Sequence, residues 1–161
     1  MIEFAEDFLI IKDKQLILKL RSLGAGVEEA EETKITYLEA AYFADRGVLP
    51  VEKEKLLEHV KEDHAKEKYF VIKYLRDCGY IVRPSLDGTG FLRLHRKGYR
   101  PGEDKTYYLL QVVPKDWKAS TEALMPALET AGRLRKELAI AIVDPEQEKP
   151  FFIKFARMTF E

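Results

Sequence analysis

Two strand-like segments flank a basic turn in residues 92–113, LRLHRKGYRPGEDKTYYLLQVV, and reactive residues lie where the strands meet the turn. His95 ends the first segment and Lys105 opens the second. Histidine is a common general acid or base near neutral pH, whereas a lysine with an ordinary pKa of about 10.4 keeps its proton. Further cations surround the pair and favour phosphate binding: Arg93, Arg96, Lys97 and Arg100.

A second arrangement in the same region could hold a metal ion. Asp87 follows Pro84, and Glu103 and Lys105 form an E-x-K tripeptide, the pattern of metal-dependent DNA nucleases in which carboxylates bind Mg²⁺ and lysine orients water. Such a tripeptide lies within a strand, where alternation places both side chains on one face. Here Glu103 and Asp104 lie in the turn RPGEDK, so we interpret the acids as turn residues and expect no metal or other cofactor.

Composition sets the broad class of the protein. The chain has 161 residues, 46% hydrophobic and 34% charged, enough for a packed core in one domain or two small ones. It has no segment near the ~20 apolar residues of a membrane span, and its acidic start, MIEFAEDFL, is unlike a signal peptide. Both observations favour a location in the cytoplasm. The single cysteine, Cys78, excludes an intramolecular disulfide and a zinc cluster, and we expect it to be buried.

Charge divides unevenly along the chain. Residues 1–65 carry 9 Lys and Arg against 15 Asp and Glu, and residues 66–161 carry 18 against 13. The second half could therefore face an anion, although an imbalance of this kind also occurs on ordinary solvated surfaces.

The N-terminal elements follow from local patterns. Two β-rich runs around a charged turn in residues 8–20 predict a hairpin, and the glycines of residues 24–26 end it. Thr36 and Glu39 have the spacing of a capping box, and Gly47 is the expected left-handed stop of the helix that it opens.

Pro50 opens a second helical stretch, which the charged segment of residues 61–68 interrupts. We place the boundary there, between domains of residues 1–64 and 65–161. The second domain reads as helix, three strands, helix and two strands, a central mixed β-sheet flanked by helices, so the predicted fold class is α/β (α+β).

The order of these phrases resembles a known family. YLRDCGYIVRP, DGTGFLRLHRKG, TYYLLQVVP, AGRLRKELAIAIVD and, more loosely, ITYLEAAYFADRGVL resemble the tRNA-splicing endonucleases of archaea and their eukaryotic relatives. The resemblance implies a small N-terminal α/β domain followed by a nuclease-like domain, assembled into dimers and tetramers that cut introns at bulge-helix-bulge RNA.

The resemblance also implies a chemistry. Active members use Tyr, His and Lys without a metal to deprotonate a 2′-hydroxyl, protonate the leaving oxygen and stabilise the phosphorane, which leaves a 2′,3′-cyclic phosphate. The tyrosine position falls on His95, the histidine position on Lys105 and the lysine position on Lys136, so only Lys136 matches. We therefore expect a catalytically silent structural subunit, with an active nuclease using a His95-based variant site as the alternative.

Partner contacts are implied at the C-terminal end. In the family the loop before the last strand is acidic and enters a basic pocket of the opposing subunit, and the last strand pairs across a twofold interface. The corresponding interface candidates are Asp144, Glu146, Glu148, Phe151, Phe152, Ile153 and Phe155. The alternatives are a solvated turn and a strand that packs on its own sheet.

The expected partners are a catalytic endonuclease subunit, in a two-plus-two hetero-oligomer, and precursor tRNA. Glu129 stands where catalytic subunits usually carry a base-stacking arginine, so backbone contacts are expected rather than base capture. The candidates for RNA contact are Arg93, Arg96, Lys97, Arg100, Arg133 and Arg135, whereas Lys136 serves either RNA contact or solubility. A pure assembly module without RNA contact would bind its partner without the steep salt dependence of phosphate contacts.

Overall fold

The computed structural model describes residues 1–85, 89–97 and 106–160, with two β-sheets and five helices in that part of the chain. No helix in these ranges has the length and apolar character needed to cross a membrane. The elements are β1 (Ile2–Phe4), β2 (Phe8–Ile11), α1 (Lys14–Ser22), β3 (Val27–Glu29), β4 (Glu32–Thr36), α2 (Tyr37–Asp45), α3 (Lys53–Glu58), α4 (Ala65–Asp77), β5 (Ile81–Pro84), β6 (Leu92–His95), β7 (Thr106–Pro114), α5 (Thr121–Arg133), β8 (Glu137–Val143) and β9 (Phe151–Phe155).

The predicted hairpin over residues 8–20 is wrong, because its second half is the helix α1. Asp13 caps this helix by accepting a hydrogen bond from the Leu16 backbone N–H at 3.0 Å. Ile17 and Leu20 are buried at helical spacing. A short apolar run fits the residue spacing of a strand as well as that of a helix, and here the Asp13 cap favours the helix.

Only half of the predicted capping box at α2 is formed as expected. The Thr36 hydroxyl accepts from the Glu39 backbone N–H at 3.3 Å, but the Glu39 carboxylate is buried and binds Arg76 and the Gly26 backbone N–H. Gly47 follows the helix with φ +77°, as predicted. The sequence pattern therefore located the helix but gave its glutamate the wrong partner.

The stretch after Pro50 forms two helices separated by residues 59–64. His64 precedes α4 with a left-handed φ of +58°, and the second half of the charged segment belongs to α4. Lys68 of that half is buried and pairs with Glu62 at 2.8 Å. Cys78, at the C-terminal end of α4, is exposed, so its predicted burial is wrong.

The C-terminal sheet has the order β5-β6-β7-β8-β9, parallel only between β7 and β8. Because β7 and β8 are parallel, α5 must cross over to connect them, and it packs against one face of the sheet while α4 packs against the other. This mixed sheet between helices confirms the predicted α/β fold class.

The N-terminal sheet has the order β1-β2-β4-β3 and shares a core with the C-terminal sheet. One cluster of buried apolar side chains runs from Leu9 and Ile35 of the first sheet to Leu92 and Leu110 of the second. The two sheets are thus in contact through a continuous core, and the boundary between residues 64 and 65 stays a prediction.

Candidate nucleic-acid interface

The sheet register brings two of the three family positions to the same end of the C-terminal sheet. His95 ends β6 and pairs with Thr106, the first residue of β7. Tyr108, two residues further along β7, pairs with Glu137 at the start of β8, directly after Lys136. Lys105 lies outside the described residues. The backbone topology alone therefore places the start of β8 near the end of β6.

His95 is only 4% exposed. It pairs with Ile81 of β5 on one side, and on the other side a β-bulge between Leu94 and His95 shifts the register with β7. A bulge changes the direction of a side chain and often occurs near functional sites. A general acid or base must come within hydrogen-bond distance of its substrate, and the burial of His95 limits this access.

Lys136 is half-buried and follows a tight stop at the end of α5. Its backbone N–H donates to the Ala131 carbonyl at 2.8 Å, and the Arg135 N–H donates to the Gly132 carbonyl at 3.1 Å, the pattern of a Schellman motif. Arg135 adopts φ +55° at the position where this motif usually has glycine. For a residue with a side chain, this conformation costs on the order of 1 kcal/mol.

Gly132 lies inside the last turn of the same helix, at an exposed position. A Cβ atom added there meets no described heavy atom within 4 Å outside its chain neighbours and local helix backbone. Glycine in a helix is less favourable than alanine by up to about 1 kcal/mol. Packing among the described residues therefore gives no reason for a glycine at this position.

A groove of about 950 Å³, here called the α5 groove, runs between the end of α5 and the ends of β8 and β9. Its lining includes the apolar residues Ala131, Leu138 and Phe155 and the basic residues Arg133, Lys136 and Arg157. Of its two acids, Glu137 pairs with Lys154 at 3.0 Å and raises the pKa of that lysine by hydrogen bonding, and the other acid is Glu129. Arg157 was not among the residues predicted from the sequence.

The other predicted RNA-contact residues lie elsewhere. Arg96 and Lys97 line a second groove of about 700 Å³ on the α4 side of the sheet, with Leu110 and Ala139. The Lys97 ammonium lies 5.0 Å from the ring centre of Tyr80. Arg93 is half-buried within β6, opposite Arg83 and Leu109, and Arg100 lies outside the described residues. The predicted cations therefore divide between two faces of the sheet.

The predicted acidic loop has one anchored and two exposed acids. Asp144 is half-buried, pairs with Lys115 at 3.7 Å and accepts the Glu146 backbone N–H at 3.0 Å. Glu146 and Glu148 are exposed. Asp144 thus shapes the turn, and the other two acids remain accessible to a partner.

The last strand, β9, forms one edge of the sheet and exposes large apolar side chains. Phe151, Phe152 and Ile153 are 55%, 42% and 46% exposed, whereas Phe155 packs against the core on the α5 side. Adjacent exposed apolar residues on an open edge strand favour association. Phe155 therefore differs from the other three aromatic and aliphatic candidates.

No group of three or more His, Cys, Asp or Glu suited to hold a metal ion occurs in residues 1–85, 89–97 and 106–160. Pro84 ends β5, and Asp87, Glu103, Asp104 and Lys105 lie outside these ranges. The described residues therefore do not test the metal-dependent alternative, which stays a prediction from the sequence.

Comparison with known proteins identifies the family. Residues 65–151 match the family model described as tRNA intron endonuclease, catalytic C-terminal domain. A tRNA-splicing endonuclease of Thermococcus onnurineus is 31% identical over 127 residues, covering 73% of this chain and 72% of the relative. One from Methanothermobacter thermautotrophicus is 25% identical over 94% of both chains. The relative from Methanosarcina mazei is longer: the 26% identity covers 89% of this chain but 42% of that protein. The chain belongs to the tRNA intron endonuclease family.

Proposed function

We propose that this chain is a structural subunit of a heteromeric tRNA-splicing endonuclease, which orients a catalytic subunit and contacts precursor tRNA. The curated relatives are tRNA-splicing endonucleases, and this family acts on precursor tRNA. The observation that carries the structural role is the burial of His95, 4% exposed at the position where the family resemblance places a reactive tyrosine.

The residue types at positions 95, 105 and 136 also support a structural role. Cleavage by a neighbouring 2′-hydroxyl needs a base, an acid and a cation around one phosphate. Lys136 is the required cation by type, but a lysine at position 105 is a poor acid at neutral pH and the imidazole of His95 has little access to solvent. The site can therefore attract a phosphate more readily than it can cleave one.

The outer strand offers a surface for the catalytic partner. Phe151, Phe152 and Ile153 expose apolar surface along the β9 edge, and Glu146 and Glu148 of the preceding turn add negative charge beside it. We infer that the partner subunit pairs with this edge in a two-plus-two assembly and receives the acidic turn in a basic pocket.

The test is cleavage of a bulge-helix-bulge RNA in EDTA by this chain alone, by a catalytic-type homologue from the same organism, and by their mixture. We expect cleavage only where the catalytic homologue is present, with a gain when this chain is added. The mixture should keep that gain with His95→Gln, because His95 is not used as an acid or base.

Cleavage by this chain alone would overturn the proposal. If His95→Gln abolished that cleavage, the chain would be an active metal-independent nuclease with a variant site. If the chain alone cleaved nucleic acid only when Mg²⁺ replaced EDTA, and lost this activity on Asp87→Ala or Glu103→Ala, the metal-dependent DNA nuclease would be correct instead.

A further inference from the structure

Two residues at the end of α5 are unfavourable for their local conformations, and both are close in sequence to Lys136. Gly132 occupies a helical position, where glycine is disfavoured, and Arg135 occupies a left-handed position, where glycine is favoured. A sequence chosen only for stability would place these residue types the other way round. Residues that break local rules in this manner are expected at functional sites.

The surroundings of Gly132 indicate what could use this position. The glycine is exposed and lines the α5 groove, and the space that a side chain would fill is open. A missing side chain lets another molecule approach the helix backbone closely. The contact is therefore expected at the surface of α5 itself, closer than an ordinary side chain would permit.

The charge around Gly132 indicates which kind of molecule binds there. Arg133, Lys136 and Arg157 line the same groove, and the acid Glu137 is paired with Lys154. Arg135, which is exposed, adds a fourth cation in the last turn of α5. Several cations around an exposed groove fit the evenly spaced phosphates of a nucleic acid backbone.

We propose that the last turn of α5, residues 132–136, is a close-approach site for the sugar–phosphate backbone of RNA. Gly132 leaves the space, and Arg133 and Arg135 contact phosphates. This inference rests on the proposed RNA-binding function and deepens it by naming the segment of the chain that the backbone touches.

Two substitutions of Gly132 separate close approach from simple charge attraction. Gly132→Ala should raise the Tm by about 2–4 °C, because alanine favours the helix, yet weaken binding of a bulge-helix-bulge RNA by the assembled complex about tenfold. Gly132→Lys should also weaken binding, despite its added positive charge. Stronger RNA binding by Gly132→Lys would overturn the inference, because then only charge would matter.

Arg135 gives an independent readout. Arg135→Gly removes the left-handed strain, so the Tm should not fall, while RNA binding weakens and the slope of log affinity against log salt decreases by about 1. Unchanged affinity and unchanged slope would remove Arg135 from the proposed contact.

The control is Ala30→Gly. Ala30 has a similar positive φ of +55°, in the turn between β3 and β4 of the N-terminal sheet. This variant should raise the Tm without changing RNA affinity, which shows that relief of strain alone does not alter binding.

The outcomes distinguish this inference from the proposed function. If the wild-type complex fails to bind the RNA, the proposed function is wrong and this inference falls with it. If the wild type binds and both Gly132 variants bind equally well, only this inference is wrong. If Gly132→Lys prevents assembly of the subunits in size-exclusion chromatography without RNA, the close approach belongs to a protein partner, which also overturns the inference.

Discussion

The Arg76 guanidinium donates to the Glu39 carboxylate at 2.9 Å, with the two side chains 5% and 3% exposed. The same guanidinium donates to the backbone carbonyls of Leu23, Gly24 and Val82 at 2.7, 3.3 and 3.3 Å. One side chain of α4 therefore connects α2, the turn after α1 and the strand β5. This arrangement fixes the N-terminal sheet relative to the C-terminal sheet.

Replacing Arg76 should be strongly destabilising. Burial raises the pKa of Glu39, so its charged form depends on the opposing influence of Arg76. Arg76→Met removes the guanidinium from three carbonyls and from the Glu39 carboxylate, which then keeps only the Gly26 backbone N–H of the two donors described above. The expected loss is about 3–5 kcal/mol of unfolding free energy, measured by urea denaturation.

The matched control is Arg21→Met, since Arg21 pairs with Glu28 at 2.6 Å on the surface. It should change stability little, because exposed ion pairs are screened by water. Equal losses of unfolding free energy for Arg76→Met and Arg21→Met would show that burial of the Arg76–Glu39 pair does not contribute to stability.

The pair also shows where prediction from sequence stops. Thr36 and Glu39 correctly predicted the start of α2, because a cap depends on neighbours three residues away. The partner of Glu39 lies 37 residues along the chain, and no local pattern names it. The succession of three strands, a helix and two strands after residue 80 was predicted from β-rich segments of the sequence, whereas the run at residues 15–20 was ambiguous and was wrongly assigned to a strand.

The candidate site was also predictable only where it depends on local sequence patterns. His95 and Lys136 could be placed at strand ends from the sequence pattern, and the register then brings these strand ends together. The left-handed φ of Arg135 was not predictable, because arginine has no preference for that region. Arg157 reaches the α5 groove only through the pairing of β9 with β8.

Two glycines with similar backbone angles should respond differently to alanine. Gly26 has φ +73°, and a Cβ there would lie 2.6 Å from the Thr33 Cγ2 atom and 3.1 Å from the Lys34 carbonyl oxygen. Gly47 has φ +77° with nothing within 4 Å of the added atom. Gly47→Ala should cost about 1 kcal/mol from backbone strain alone, and Gly26→Ala should cost more because of the added clash.

The measurement is the urea midpoint of each variant at a constant denaturant slope. Equal destabilisation of the two variants would contradict the close packing of β3 and β4 around Gly26.

Ionisation of Tyr69 should lower the stability of the folded chain at alkaline pH. Burial, followed by the nearby charge of Asp45, raises the pKa of Tyr69 to about 12. A pKa raised in the folded state favours folding below the unfolded pKa of about 10, and this contribution is lost as the pH rises from there through about 12. Tyr69→Phe should therefore be close to wild type at pH 7 and lose less stability between pH 10 and 12.

Urea denaturation at pH 7, 10 and 11 measures this difference, and ultraviolet titration should lose one late-ionising tyrosine in the variant. A constant difference in stability between the two proteins across that range would show that Tyr69 titrates at the same pH in both states.

The exposed edge strand should control assembly. Ile153 is 46% exposed on β9, and by strand alternation it shares a face with Phe151. Ile153→Lys places a charge in the proposed subunit interface, so it should weaken association at least tenfold, measured by light scattering across a dilution series. The Tm of the dissociated chain should change little, because position 153 is at the surface.

Leu18 provides the matched control for this variant. It is 57% exposed on α1, whose buried residues Ile17 and Leu20 belong to a core cluster that contains no residue of β9. Leu18→Lys introduces the same charge at a comparable exposed aliphatic residue and should leave the assembled mass unchanged. If both variants dissociate the complex, added charge acts nonspecifically, and if neither does, the partner binds elsewhere than the β9 edge.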